Sequence, residues 1–146
     1  MRKISASYIF PIVSAPLKQG ILIISESGEI IEIIDTQGNL TEQFKLEYYN
    51  GIVVPRFIDN NGFEGGNAVL MDNIKTQLTF SQIKKLKNIT LPEIIEDYTL
   101  GRAKKYKLNT QFGSFEIGKN PGVALITNIN FDAFTLTEKS EIRILL

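Results

Sequence analysis

The chain has no histidine and no cysteine. Histidine supplies the neutral imidazole nitrogens of most zinc centres, and cysteine supplies the thiolates. A hydrolytic zinc centre built here would have carboxylates alone for protein ligands. The missing cysteine also excludes disulfides, and a cytoplasmic location is the default expectation. An excess of charge is missing too. Sixteen basic residues balance sixteen acidic ones. A net charge of zero gives no electrostatic reason to bind nucleic acid or an anionic membrane. Long apolar runs are absent. No stretch approaches the roughly 20 residues of a membrane span, and no apolar run suited to a signal peptide follows the basic start.

What is present is enough for one globular domain. The chain has 146 residues and an apolar fraction of 43%, which suffices for a real core. The first third is strand-rich. Residues 3–10 alternate in the manner of a half-buried strand. Ile21 to Ile24 and Ile30 to Thr36 flank Glu26-Ser27-Gly28 and predict a hairpin. Two short strands follow at 45–49 and 51–54, broken near Asn50-Gly51 and ended by Pro55, which has no N–H to donate. Residues 60–67 are dense in asparagine and glycine and read as a connector. Residues 68–71 form a short apolar strand.

Two helices are predicted next. Thr79 with Gln82 makes a capping box, with Leu78 and Ile83 as its hydrophobic staple. Thr90 with Glu93 repeats the box, Ile89 with Ile94 the staple, and Pro92 sits in the first turn. Leu91, Ile94, Ile95, Tyr98 and Ala103 recur at helical spacing, so one face is buried. Arg102, Lys104, Lys105 and Lys107 gather at the C-terminal end, where positive charge suits the dipole, and read as a solvated helix end. The last third returns to strands at 113–117 and 123–127 and at the terminus, where Ile142, Ile144 and Leu146 alternate with Arg143 and Leu145. No internal repeat is visible.

Two stretches carry a family resemblance. One is the hairpin from Gly20 to Ile34 followed by Asn50-Gly51-Ile52-Val53-Val54-Pro55-Arg56-Phe57-Ile58-Asp59. The other is Tyr98-Thr99-Leu100 with Ala103, then Phe112-Gly113-Ser114-Phe115-Glu116-Ile117-Gly118-Lys119-Asn120-Pro121-Gly122. Together they resemble the beginning and the end of the amidohydrolase superfamily of metal-dependent hydrolases. The resemblance covers residues 1–59 and 68–146. It implies that the two ends pair into a small β-sandwich, the composite domain that flanks a (β/α)8 barrel in that family.

The departures from that family decide the functional expectation. The resemblance puts Asn61 and Phe63 where the family has its metal-binding His-x-His pair. An amide oxygen is a poor transition-metal ligand, and a phenyl ring is none. It makes Asp72 the vestige of the aspartate that ends barrel strand eight. Arg56 replaces the usual glycine before the barrel. Residues 60–67 leave room only for a turn, whereas barrel strands two to seven need about 200 residues. The expectation is an excised barrel with a Gly-rich splice joining the halves 1–59 and 68–146.

Other chemistry is weaker still. Asp59, Glu64 and Asp72 could bind one hard cation through oxygen, but their spacing fits no known cation loop, and they read as solvated loop acids. Ser81 and Lys84 have the letters of a Ser-x-x-Lys pair, yet helix capping accounts for them more simply. Gly62, Gly65 and Gly66 lack the Gly-Lys-Ser/Thr that a phosphate loop needs. Gly118-Lys119 reads as a turn with a solvated lysine.

The expected fold is mainly β, of the α+β class, with a small sandwich and two helices. Its expected core is Ile21, Ile23, Ile31, Ile33, Ile52, Val54, Ile94, Tyr98, Val123, Leu125 and Ile144. The expected function is a non-catalytic structural or interaction module. It needs no cofactor or metal, and it forms a homodimer because removing a barrel uncovers apolar surface. The alternatives are a hydrolase of carbon–nitrogen bonds, if another chain supplies a barrel, and a small-ligand binder.

Overall fold

The computed structural model describes residues 1–59, 69–86 and 89–146. The strands are β1 (Arg2–Ile9), β2 (Leu17–Lys18), β3 (Ile21–Ile24), β4 (Ile30–Ile34), β5 (Leu46–Val54), β6 (Ala124–Asn130) and β7 (Thr135–Ile144). Helix α1 spans Asn73–Ile83. Helix α2 (Leu91–Glu96) runs through a π-helical turn, Asp97–Gly101, into α3 (Arg102–Lys105). The fold is mainly β and of the α+β class, as expected. Among the described residues no helix is long and apolar enough to cross a membrane.

Among the described residues all seven strands join one hydrogen-bonded sheet in the order β4-β3-β1-β5-β6-β7, with β2 also on β1. The pairing of β1 with β5 is parallel and the other pairings are antiparallel. The two chain ends meet where β5 pairs β6, through Ile52 with Ile126, Val53 with Leu125 and Val54 with Ala124. The sheet is continuous rather than divided in two, and it carries a core on each face. Phe10, Ile52, Val54, Phe57, Ile126 and Ile142 pack under the helices. Ile4, Leu22, Ile24, Val53, Phe115 and Leu125 form the opposite core. Adjacent β5 residues serve opposite cores because successive side chains alternate across a strand.

The β3–β4 hairpin forms where its aliphatic runs predict. Strand β5 differs: it runs unbroken through Gly51. Gly51 has φ +155°, and a Cβ there would lie 2.3 Å from the Ile126 carbonyl oxygen. Glycine marks a close approach of β5 to β6, not a break between strands. Residues 113–117 form no strand. Gly113, at φ +96°, turns the chain against the helix, where a Cβ would sit 2.7 Å from Ala103 Cβ. That turn drives the fully buried Phe115 into the second core, a burial that contributes about 1.5–3 kcal/mol.

The first helix also starts elsewhere. Asp72 is its N-cap, so α1 begins at Asn73 and Thr79 lies buried in mid-helix. Leu78 is 63% exposed and staples nothing at a helix start. The second helix begins as expected, with Thr90 Oγ1 accepting from the Glu93 N–H at 3.4 Å. In the core, Ile21, Ile52, Val54, Ile94, Val123 and Leu125 are buried, and Ile23, Ile33, Tyr98 and Ile144 are partly so. Ile31 is 39% exposed, and its neighbour Ile30 is buried instead. The register of β3 against β4 slips between Ile23 and Ile24, and a one-residue slip exchanges the two faces.

Candidate functional site

The pole where the resemblance would put a catalytic centre is built from the exit of β5 and the approach to α1. The two segments pair through an isolated antiparallel bridge, Ile58 with Leu70. The Asp59 N–H donates to the Val69 carbonyl at 2.8 Å, and the Met71 N–H to the Phe57 carbonyl at 3.0 Å. Strands one and eight of a (β/α)8 barrel run parallel. The direction found here is that of a hairpin, which a short connection gives. Asn61, Phe63, Glu64 and the three glycines at 62, 65 and 66 lie outside the described residues.

Both described carboxylates at this pole have partners. Asp72 Oδ1 accepts from the Lys75 backbone N–H at 2.8 Å, satisfying one of the donors that a helix start leaves open. The Lys75 ammonium lies 2.6 Å from Asp59 Oδ1, and the Asp59 side chain is only 16% exposed. One residue thus binds both acids, with its backbone and with its side chain. Among the described residues no group of three or more Asp, Glu, His or Cys is placed to hold a metal ion.

Four aromatic and cationic side chains complete the pole, and sequence reasoning gave none of them this role. Arg56 donates from Nη2 to the Met71 carbonyl. Burial lowers its pKa from the usual arginine value, and the Asp72 charge opposes that shift. Arg102 donates to the Ile58 carbonyl at 2.8 Å and lies over the Tyr98 ring at 4.3 Å. Tyr98 in turn packs on Phe57 with ring centroids 5.3 Å apart. Arg102 is therefore not a solvated helix end, although Lys104, Lys105 and Lys107 are exposed. The π-helical turn carries Tyr98, and a cleft of about 290 Å³ opens beside it, lined also by Leu78, Gln82 and Arg102.

The other candidates resolve into structural roles. Ser81 Oγ donates to the Gln77 carbonyl at 3.1 Å, while Lys84 Nζ reaches the Glu138 carbonyl at 2.8 Å. The two do not form a nucleophile and base pair. Lys119 is not solvated: it is 9% exposed. Its ammonium donates to Ser114 Oγ at 2.7 Å and to Glu116 Oε1 at 2.8 Å. Ser114 Oγ donates to the same Glu116 oxygen at 2.7 Å. These bonds, with Lys119 first and Ser114 second, lower the Glu116 pKa. Ser114 is fully buried, so this lysine–serine contact braces a turn and offers no nucleophile to a substrate. Sequence spacing could have flagged the Ser114, Glu116 and Lys119 cluster, but only the turn at Gly118 folds it together.

No protein-family model matches the chain, and no curated protein matches it. Among solved structures, ochratoxinase from A. niger matches with a TM-score of 0.28 and 14% identity. The match covers 53% of this chain and 19% of that one. A likeness that slight carries no argument about function, and this chain spans a small part of the protein it is compared with.

Proposed function

We propose that the chain is a non-catalytic remnant of a metal-dependent amidohydrolase, working as a structural or protein-interaction module and associating with a second copy. The observation that carries this reading is the double engagement of Lys75 by Asp72 and Asp59. The carboxylate expected to be the vestige of a metal ligand caps a helix, and its neighbour at the pole holds an ammonium. Nitrogen and sulfur ligands give transition-metal centres their affinity, and the sequence contains no histidine or cysteine to supply them.

Apolar exposure supports the interaction role. Ile74 and Leu78 are 73% and 63% exposed, one turn apart on α1. Exposed apolar side chains beside a cleft with an aromatic wall suit a protein contact better than solvent. The carbon–nitrogen hydrolase alternative requires a second chain to bring a barrel. Metal content separates the two readings. The module should purify with less than stoichiometric zinc and gain no hydrolytic turnover when zinc is added. One tightly held zinc per chain would revive the enzyme.

A further inference from the structure

Helix α1 carries a hydroxyl that the fold does not use. A serine or threonine inside a helix commonly bonds back to the carbonyl four residues earlier. Thr76, Ser81 and Thr99 all do so, reaching the Asp72, Gln77 and Ile95 carbonyls at 2.7, 3.1 and 2.6 Å. Thr79 does not. It is only 9% exposed, and its hydroxyl makes no hydrogen bond. The Ser5 hydroxyl is sealed in the core without a partner, whereas that of Thr79 opens on the cleft of about 290 Å³ beside Tyr98.

Two other donors line the same cleft with capacity to spare. Gln82 stands one turn beyond Thr79 on α1, and its side-chain amide makes no hydrogen bond either. Arg102 lines the cleft from α3. It spends one N–H on the Ile58 carbonyl and one face on the Tyr98 ring. The rest of its five-donor fork is free, and that planar fork matches a carboxylate through two parallel bonds. Among the described residues no Asp or Glu lines the cleft. Lys75 also lines it but is already held by Asp59. One uncommitted guanidinium therefore balances one negative charge, which suits a monoanion better than a phosphate. The remaining wall is apolar, formed by Met71, Leu78 and the Tyr98 ring. A few convergent polar groups on an apolar wall are the ordinary make-up of a small-molecule site, and π-helical turns such as the one carrying Tyr98 recur at such places. At about 30 Å³ per water of liquid volume, the cleft has room for about ten non-hydrogen atoms.

We infer that this cleft binds a small organic carboxylate with an apolar body. The carboxylate lies on Arg102, with the Thr79 hydroxyl and the Gln82 amide as further donors, and the body lies against Met71, Leu78 and Tyr98. The site stands apart from the non-catalytic reading, because a zinc-free chain and a zinc-holding one would both bind the acid.

The probe is phenylacetate, titrated into the full chain and followed by two-dimensional NMR. Saturable shifts should centre on Thr79, Gln82 and Arg102, with a Kd of about 1 mM or tighter. Phenylacetamide has the same size without the charge and should bind about tenfold more weakly or worse. Thr79→Val keeps the shape, removes the hydroxyl and breaks no bond of the fold. It should weaken phenylacetate about threefold to tenfold, the scale of one hydrogen bond. Arg102→Gln should erase the preference for the acid over the amide. If Arg102→Gln does not fold, because the Ile58 carbonyl loses its donor, the other two comparisons carry the test. No saturable shift at the cleft by about 10 mM phenylacetate would overturn the inference. So would an amide that binds as tightly as the acid, or an affinity unchanged in Thr79→Val. Inorganic phosphate that displaces phenylacetate at equal concentration would overturn the carboxylate assignment and mark a phosphate site instead.

Discussion

Lys75 ties Asp72 to Asp59. Its backbone N–H is held by Asp72 Oδ1 at 2.8 Å and its ammonium by Asp59 Oδ1 at 2.6 Å. The contact joins the start of α1 to the exit of β5 across the pole where the resemblance would put a metal. Replacing Asp72 by alanine should cost about 1 kcal/mol, the ordinary value of a lost N-cap. Asp72→Ser should recover most of it, because a hydroxyl also caps. Urea unfolding of the two variants checks this. Equal loss in both would mean that Asp72 acts through its charge and not as a cap.

Gly51 carries a second prediction. Gly51→Ala would drive a Cβ into the Ile126 carbonyl, 2.3 Å away. It would do so at the junction of the strands from the two chain ends. Overpacking of this kind costs about 1–3 kcal/mol, and Gly51→Ala should lower the thermal midpoint clearly. Gly118→Ala is the control, since nothing lies within 4 Å of a Cβ there. Its loss should be smaller and should come from its positive φ alone.

Acid should weaken the fold through two carboxylates. The Arg2 hydrogen bonds lower the Glu47 pKa first, with Tyr49 adding to the effect. Lys119 does the same for Glu116. A carboxylate whose folded pKa is depressed contributes stability above its unfolded value, near 4.3, and loses it as pH falls through the folded value. Stability should therefore hold from neutral pH to about 4.5 and decline below it. Glu47→Gln should flatten part of that decline. An unchanged acid slope in Glu47→Gln would show that the Arg2 pair does not contribute. Glu116 is 44% exposed, so its share should be the smaller and more salt-sensitive one.

The parts of this fold legible in the sequence were those fixed by neighbours along the chain. Aliphatic runs on either side of Gly28 specify the β3–β4 hairpin, and Thr90 before Pro92 marks a helix start. The misreadings have a common cause in contacts made across the chain. Thr79 and Gln82 have capping spacing, but the helix has already begun at Asn73, because Asp72 competes for the role and wins. Asp72 was itself legible as a cap three residues before Lys75. The resemblance to a metal ligand drew attention to its carboxylate and away from that spacing. Ile31 left the core through a register slip that depends on how β4 meets β3. Lys119 looked solvated because its partners, Ser114 and Glu116, reach it only once the turn closes.

The same distinction governs the site. The missing imidazole and thiolate groups were plain in the composition. The engagement of Asp59 by Lys75 was not, since the two residues lie sixteen positions apart. Nor was the stack of Arg102 on Tyr98 and Phe57, which depends on the π-helical turn. Periodicity alone predicts that Tyr98 faces the core. It does not predict that Tyr98 also lines a cleft with Arg102.

The proposed reading requires that this chain hold no catalytic metal. Its most direct test is elemental analysis of purified protein after incubation with excess zinc and desalting, paired with an amide-hydrolysis assay with and without a chelator. The account predicts well under one zinc per chain and no chelator-sensitive turnover. One retained zinc per chain, with hydrolysis that the chelator abolishes, would contradict it.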